Sequence, residues 1–128
     1  MSTVDLAGAD FERTVTENEL VLVDFWASWC GPCRQFAPVY DQASTQHEDV
    51  VFAKVDTEAE QQLAGAAQIT SIPTLMAFKK GHLVYREAGA LPPQGLEQLI
   101  TALKELDVDA AIAAQKAAED GDGNGAPA

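Results

Sequence analysis

The stretch LVLVDFWA, Leu20 to Ala27, runs straight into SWCGPC and constrains the fold more than any other part of the chain. A short run of Leu, Val, Phe and Trp reads as a buried strand. Cys30-Gly31-Pro32-Cys33 follows, and from Pro32 to about His47 the apolar residues Phe36, Val39, Tyr40 and Ala43 repeat at a helical period. Pro32 suits the first helical turn, where its missing N–H removes nothing; Pro38, inside the same helix, is expected to kink it. A buried strand therefore passes through a tight junction into a helix, with two cysteines at the junction. Asp24 interrupts the strand, and a charge there costs several kcal/mol unless it is paired or neutralised. Phe25 and Trp26 continue the apolar run past Asp24, which argues against a strand end or an exposed edge.

Around this junction the chain alternates in character. Thr3 to Leu6 reads as a short strand, and Asp10 as a helix N-cap with Phe11 and Val15 on one face. Val50 to Val55 is a second buried strand, followed by Asp56 and Thr57 as caps and a short helix from Glu58 to Ala67. Thr74 to Phe78 and Leu83 to Arg86 flank the turn Lys79-Lys80-Gly81-His82 as a hairpin. After Pro92-Pro93, the residues Leu96, Leu99, Ile100, Leu103 and Leu106 define an amphipathic helix. The order βαβαβ followed by ββα predicts one α/β layer structure whose sheet mixes parallel and antiparallel strands. One domain over residues 1–106 is expected. Residues 107–128 form an Ala- and Gly-rich acidic extension, predicted partly helical and then disordered over GDGNGAPA.

The 128 residues suffice for a core without a disulfide or metal staple. A net charge of −12 excludes nucleic acid and anionic membrane surfaces as natural partners, because both would repel the chain. No basic and apolar leader pattern opens the sequence, and no apolar run approaches the ~20 residues of a membrane span. A cytoplasmic protein is expected, in which a cysteine pair serves catalysis or metal binding rather than structure. Zinc needs four ligands, whereas here two cysteines stand with the isolated His47 and His82, so no metal is expected.

The junction itself predicts chemistry. With Cys30 as N-cap and Cys33 at the third helical position, the amide of Cys33 points at the Cys30 sulfur, and the helix dipole adds positive potential there. Both favour thiolate over thiol, so Cys30 should titrate below the free value of ~8.5. Gly31 leaves the approach open. Residues three apart in a helix have Cβ atoms roughly 5–6 Å apart, which a small adjustment brings within disulfide reach. Cys30 is expected to be exposed and Cys33 shielded.

Val23-Asp24-Phe25-Trp26-Ala27, Trp29-Cys30-Gly31-Pro32-Cys33, Pro38, FAKVD at Phe52 to Asp56, Ile72-Pro73-Thr74, the Phe78 to Gly81 turn and Gly89 together resemble the thioredoxin family over residues 3–106. That resemblance implies the thioredoxin fold, a central mixed sheet of about five strands flanked by about four helices. It implies a protein-disulfide reductase with Cys30 as nucleophile and Cys33 as resolving thiol. Asp24 would be a buried general base or acid with Lys54 as its partner, and Pro73 a cis-proline facing the sulfurs. Gly31 and Pro32 would complete the active-site loop, with Trp29, Ile72, Pro73, Gly89 and Ala90 binding substrate. No cofactor beyond the redox disulfide is implied; the partners would be a thioredoxin reductase and disulfide-containing proteins, and the default state a monomer. An oxidase or isomerase, or a non-catalytic binding subunit, are the rival functions on the same fold. Three positions depart from the pattern: Ser71 stands where some members have Gly, Ala88 is smaller than the usual Val, and the tail exceeds the usual length.

Asp24 acquires a use in this frame. A shielded Cys33 has no helix terminus of its own and needs a base before it can attack a mixed disulfide. Desolvation raises a carboxyl toward the working pH, and Lys54 would limit that rise.

Overall fold

A computed structural model describes residues 3–125. Five strands, β1 (Thr3–Asp5), β2 (Leu20–Trp26), β3 (Val51–Asp56), β4 (Thr74–Lys79) and β5 (His82–Ala88), form one sheet in the order β1-β3-β2-β4-β5. β3 is parallel to β1 and β2, while β4 pairs antiparallel with β2 and β5, which is the expected mixed sheet. The helices are α1 (Gly8–Glu17), α2 (Gly31–Gln46), α3 (Gln61–Ala66), α4 (Pro93–Glu105) and α5 (Val108–Gly125). α1 to α4 are the four helices expected around the sheet, and residues beyond 106 contribute α5, which enters the Gly-rich stretch. Ala126 to Ala128 lie outside the described residues. Among the described residues no helix is long and apolar enough to cross a membrane.

The two-residue period of β2 divides the core. Leu20 and Leu22 join Phe36, Tyr40, Phe52, Leu75, Leu96 and Ile100 on the face covered by α2 and α4. Val21, Val23 and Phe25 join Leu6, Ala53, Val55 and Met76 on the opposite face, with Phe11 of α1 and Leu63 of α3 packed against them. The same alternation gives Asp24 the side of Leu20 and Leu22, toward the cysteine-bearing helix. β3 repeats the pattern: Phe52 lies on the α2 face, so Lys54 shares that face and is in register with Asp24. Tyr40 of α2 closes this layer, its ring 5.2 Å from Phe52 and its hydroxyl donating to Ala53 O at 2.8 Å. α2 is a single element through Pro38.

Three expected local features differ, the first for a tertiary reason and the second for a local one. The N-cap of α1 is Ala7 rather than Asp10, because Glu60, far along the chain, accepts the free N–H of Gly8 at 2.9 Å. Asp10 sits in the first turn and pairs with Arg13 instead. The third helix starts at Gln61 rather than Glu58, because Asp56 Oδ1 accepts the amides of Glu58 and Ala59 and draws residues 57–59 into a turn. Leu106 ends α4 as its C-cap in extended geometry. The hairpin behaves as expected: Lys80 and Gly81 both take positive φ, 52° and 81°, the pattern of a two-residue turn that matches strand twist.

Lys79 fixes the far end of the domain. Its position in β4 points it to the α4 face, and it is 5% exposed. There its ammonium donates to the carbonyls of Leu103, Lys104 and Leu106 at 2.7, 2.9 and 2.7 Å. These carbonyls lie at the end of α4, where Leu103 O also accepts the Leu106 amide at 3.3 Å and a cation meets the negative end of the helix dipole. Lys79→Met keeps the stem but removes all three donors, and should lower stability by about 2–4 kcal/mol. Urea unfolding measures this; an unchanged midpoint would show that the three bonds are replaceable by water.

Candidate active site

β2 ends at Trp26, Ala27 is fully buried, and the chain turns into α2 through Ser28 and Trp29. Cys30 is the N-cap, with extended backbone angles of −87° and 115°. Its carbonyl accepts the amide of Arg34 at 3.1 Å, the first bond of the helix, and its sulfur accepts the amide of Cys33 at 3.2 Å. A sulfur thus occupies the place of the usual side-chain oxygen cap. The Cys30 and Cys33 sulfurs are joined as a disulfide, with Cα atoms 5.2 Å apart. Pro32 falls in the first turn, and a Cβ built on Gly31 would meet nothing within 4 Å, so the outer side of the loop is open.

The exposure expected of Cys30 does not hold in the disulfide form. Cys30 and Cys33 are 4% and 3% exposed and pack in one cluster with Ala27, flanked by Trp26 and Ile72. The Ile72 carbonyl oxygen lies 3.7 Å from the Cys30 sulfur, so the neighbouring strap covers the outer cysteine as fully as the helix covers the inner one. The asymmetry between the two sulfurs is therefore one of hydrogen bonding: Cys30 receives a first-turn amide.

The Ile72–Pro73 bond is cis. Thr74 Oγ1 donates to Ser71 O at 2.5 Å, and the Gly89 amide donates to Pro73 O at 2.8 Å, so the strap is held from both sides. Gly89 has a φ of 111°, which L side chains rarely adopt, and glycine is required there. Ala90 follows it as an exposed residue. Trp29 is 64% exposed, and its indole N–H donates to Glu58 Oε2 at 2.5 Å. A cleft of about 210 Å³ lies between Trp29 and Ile72, with Thr57, Ala64, Ile69 and Ser71 on its walls. The sequence marks neither Glu58 nor these wall residues as parts of a site. An acidic residue just after β3 was the one visible sign, and it gave no indication of its partner.

Asp24 is 1% exposed, and its Oδ1 has no hydrogen-bond partner among the described residues. Burial pushes its pKa up to about 7; Lys54 opposes the rise and Asp41 adds to it. Lys54 also lies over the Trp26 ring, 5.1 Å from its centroid. Tyr40 is held well above its ordinary value by burial and by Asp24 and Asp41. Among the described residues, no group of three or more His, Cys, Asp or Glu side chains could hold a metal ion.

A disulfide-bonded cysteine pair at a strand-to-helix junction, with the residue before a cis-proline against one sulfur, on a mixed five-stranded sheet, defines a thiol–disulfide oxidoreductase. The family model described as Thioredoxin matches residues 2–102. A putative thioredoxin 2 from Streptomyces coelicolor is 50% identical over 119 residues, 91% of this chain and 89% of the relative. A thioredoxin from Synechocystis is 47% identical over 93 residues, 71% of this chain and 87% of the relative. Among solved structures, a mutant thioredoxin from Halobacterium salinarum is similar with a TM-score of 0.77 and 33% identity, covering 83% of this chain and 94% of that one. The chain belongs to the thioredoxin family, and its Cys30–Cys33 pair is a thioredoxin-type dithiol/disulfide reductase centre. The Streptomyces alignment spans 91% of this chain, which is long enough to take in part of residues 107–128.

The raised Asp24 pKa has a signature in stability. Folded, the carboxyl keeps its proton up to about pH 7; unfolded, it releases it near 3.8. Between those values the folded form binds more protons, so this group's contribution becomes unfavourable as pH rises, and levels off above pH 7. The full swing is about 4 kcal/mol. Asp24→Asn should therefore gain stability over the parent progressively through that window in the oxidised form. A stability difference independent of pH would contradict the assignment.

Proposed function

We propose that the chain reduces disulfides of cytoplasmic proteins as a monomer and is recharged by a thioredoxin reductase. The Cys30 thiolate attacks one sulfur of a substrate disulfide, forming a mixed disulfide and releasing the other substrate sulfur as a thiolate. Asp24 as carboxylate takes the proton of the Cys33 thiol, and Lys54 stabilises the carboxylate before that transfer. The Cys33 thiolate attacks the Cys30 sulfur, which closes the Cys30–Cys33 disulfide and releases the second substrate thiolate. Two electrons have then passed to the substrate, and the released thiolates take up protons, one of them by way of Asp24. The reductase returns two electrons and reopens the pair.

The observation that carries this reading is the Cys33 amide on the Cys30 sulfur, which supports Cys30 as the attacking sulfur. Substrate backbone is proposed to lie along Ile72 and Pro73, where a strap outside the sheet can pair with an extended peptide, with Trp29, Gly89 and Ala90 at its margins. The net charge of −12 favours neither nucleic acid nor membrane partners. An oxidase or isomerase would use the same sulfurs; Gly31-Pro32 between them favours the reductant, and a reduction potential measured against glutathione separates the two. A binding subunit would not need the sulfurs at all.

In NADPH-coupled reduction of insulin with a bacterial thioredoxin reductase, the parent chain should turn over. Cys33→Ser should instead accumulate a mixed disulfide and stop after one event. Asp24→Asn should slow resolution of that intermediate by about 10- to 100-fold at neutral pH. Parent-like turnover by Cys33→Ser would overturn the two-cysteine mechanism, and unaltered resolution in Asp24→Asn would remove the base.

A further inference from the structure

Ile69 to Ile72 form one wall of the cleft beside Trp29 and deliver the Ile72 carbonyl to the Cys30 sulfur, yet this segment lies outside helix and strand. Its start is set by an unusual backbone. α3 stops at Ala66, and Gln68 adopts φ 57°, a left-handed conformation uncommon for a residue other than glycine. The last carbonyls of a helix have no intrahelical partner and carry partial negative charge. Arg86, from β5, meets that end: its Nη1 donates to Ala67 O at 2.6 Å and its Nη2 to Gln68 O at 2.7 Å. The planar guanidinium spans two consecutive carbonyls, which a single ammonium does not. Arg86 is in register with Met76 of β4, so the fork ties the rigid sheet to the point where the strap begins. Downstream, the Ile69 amide donates to Ala64 O at 3.0 Å, and Ser71 O receives the Thr74 hydroxyl. Arg86 therefore fixes one end of the segment whose other end is fixed at Pro73.

We propose that Arg86 is a positioning residue for protein-disulfide recognition, holding residues 69–72 in the shape that receives substrate beside Trp29. The proposal rests on the reading of that cleft as the substrate site. Arg86 has no part in the sulfur chemistry, so its loss should separate recognition from reaction. Arg86→Ala should raise KM for insulin about five- to tenfold with kcat held within about twofold. Reduction of the small aromatic disulfide dithiobis-nitrobenzoate, which needs only the sulfurs, should stay within about twofold of the parent. Amide exchange at Ile69 should quicken while that of Leu22, in the core, does not. Arg86→Lys keeps the charge but fills one carbonyl, so its KM should fall between parent and Ala; it carries the test alone should Arg86→Ala not fold. A parent KM and parent Ile69 exchange in the folded variants, or equal losses on insulin and the small disulfide, would overturn the proposal. Trp29→Ala separates the two readings. If it raises the insulin KM and loss of Arg86 does not, the cleft stands and the clamp falls; if neither variant raises it, both fall.

Discussion

The amide of Cys33, donating to the Cys30 sulfur across the first turn of α2, is the contact on which the site depends. Every helix begins with amides that lack partners, and an oxygen side chain usually takes one of them. Here a sulfur does so, and the bond that caps the helix also favours the ionised state of that sulfur. Stability and reactivity then share one interaction. The requirement propagates outward: a strand must end close by, a proline must fit the first turn, and something must cover the sulfur from above. β2, Pro32 and the strap ending at Pro73 answer these in turn.

Beneath the pair, the alternation of β2 does the remaining work. Leu20, Leu22 and Asp24 share a face, so the geometry that builds the α2-facing core also brings a carboxyl under that helix. The cost of burial appears as a raised pKa rather than as an ion pair of full strength. Lys54, in register on β3, moderates that rise, and it does so from the same face by the same two-residue rule.

What could be read from the sequence followed from local rules. The strand from Leu20, the helix from the Gly31-Pro32 junction, the hairpin around Lys80-Gly81 and the place of Lys54 on the strand beside Asp24 all follow from spacing, turn chemistry or resemblance. What stayed hidden depends on residues far apart in the chain. The N-terminus of α1 is capped by Glu60, Trp29 is oriented by Glu58, and the end of α3 is held by Arg86. Each is an ordinary charged residue whose role appears only when the sheet brings it to its partner. The matching exposure of the two cysteines is of the same kind, because the cover over Cys30 comes from Ile72, many residues away.

The most direct test is thiolate absorbance as a function of pH in the fully reduced chain, with Cys30→Ser and Cys33→Ser to assign each step. The account predicts that the Cys30 sulfur ionises well below the free-thiol value of ~8.5, ahead of Cys33, and is alkylated first at neutral pH. A Cys30 sulfur as weakly acidic as free cysteine, or equal alkylation of both sulfurs, would contradict it.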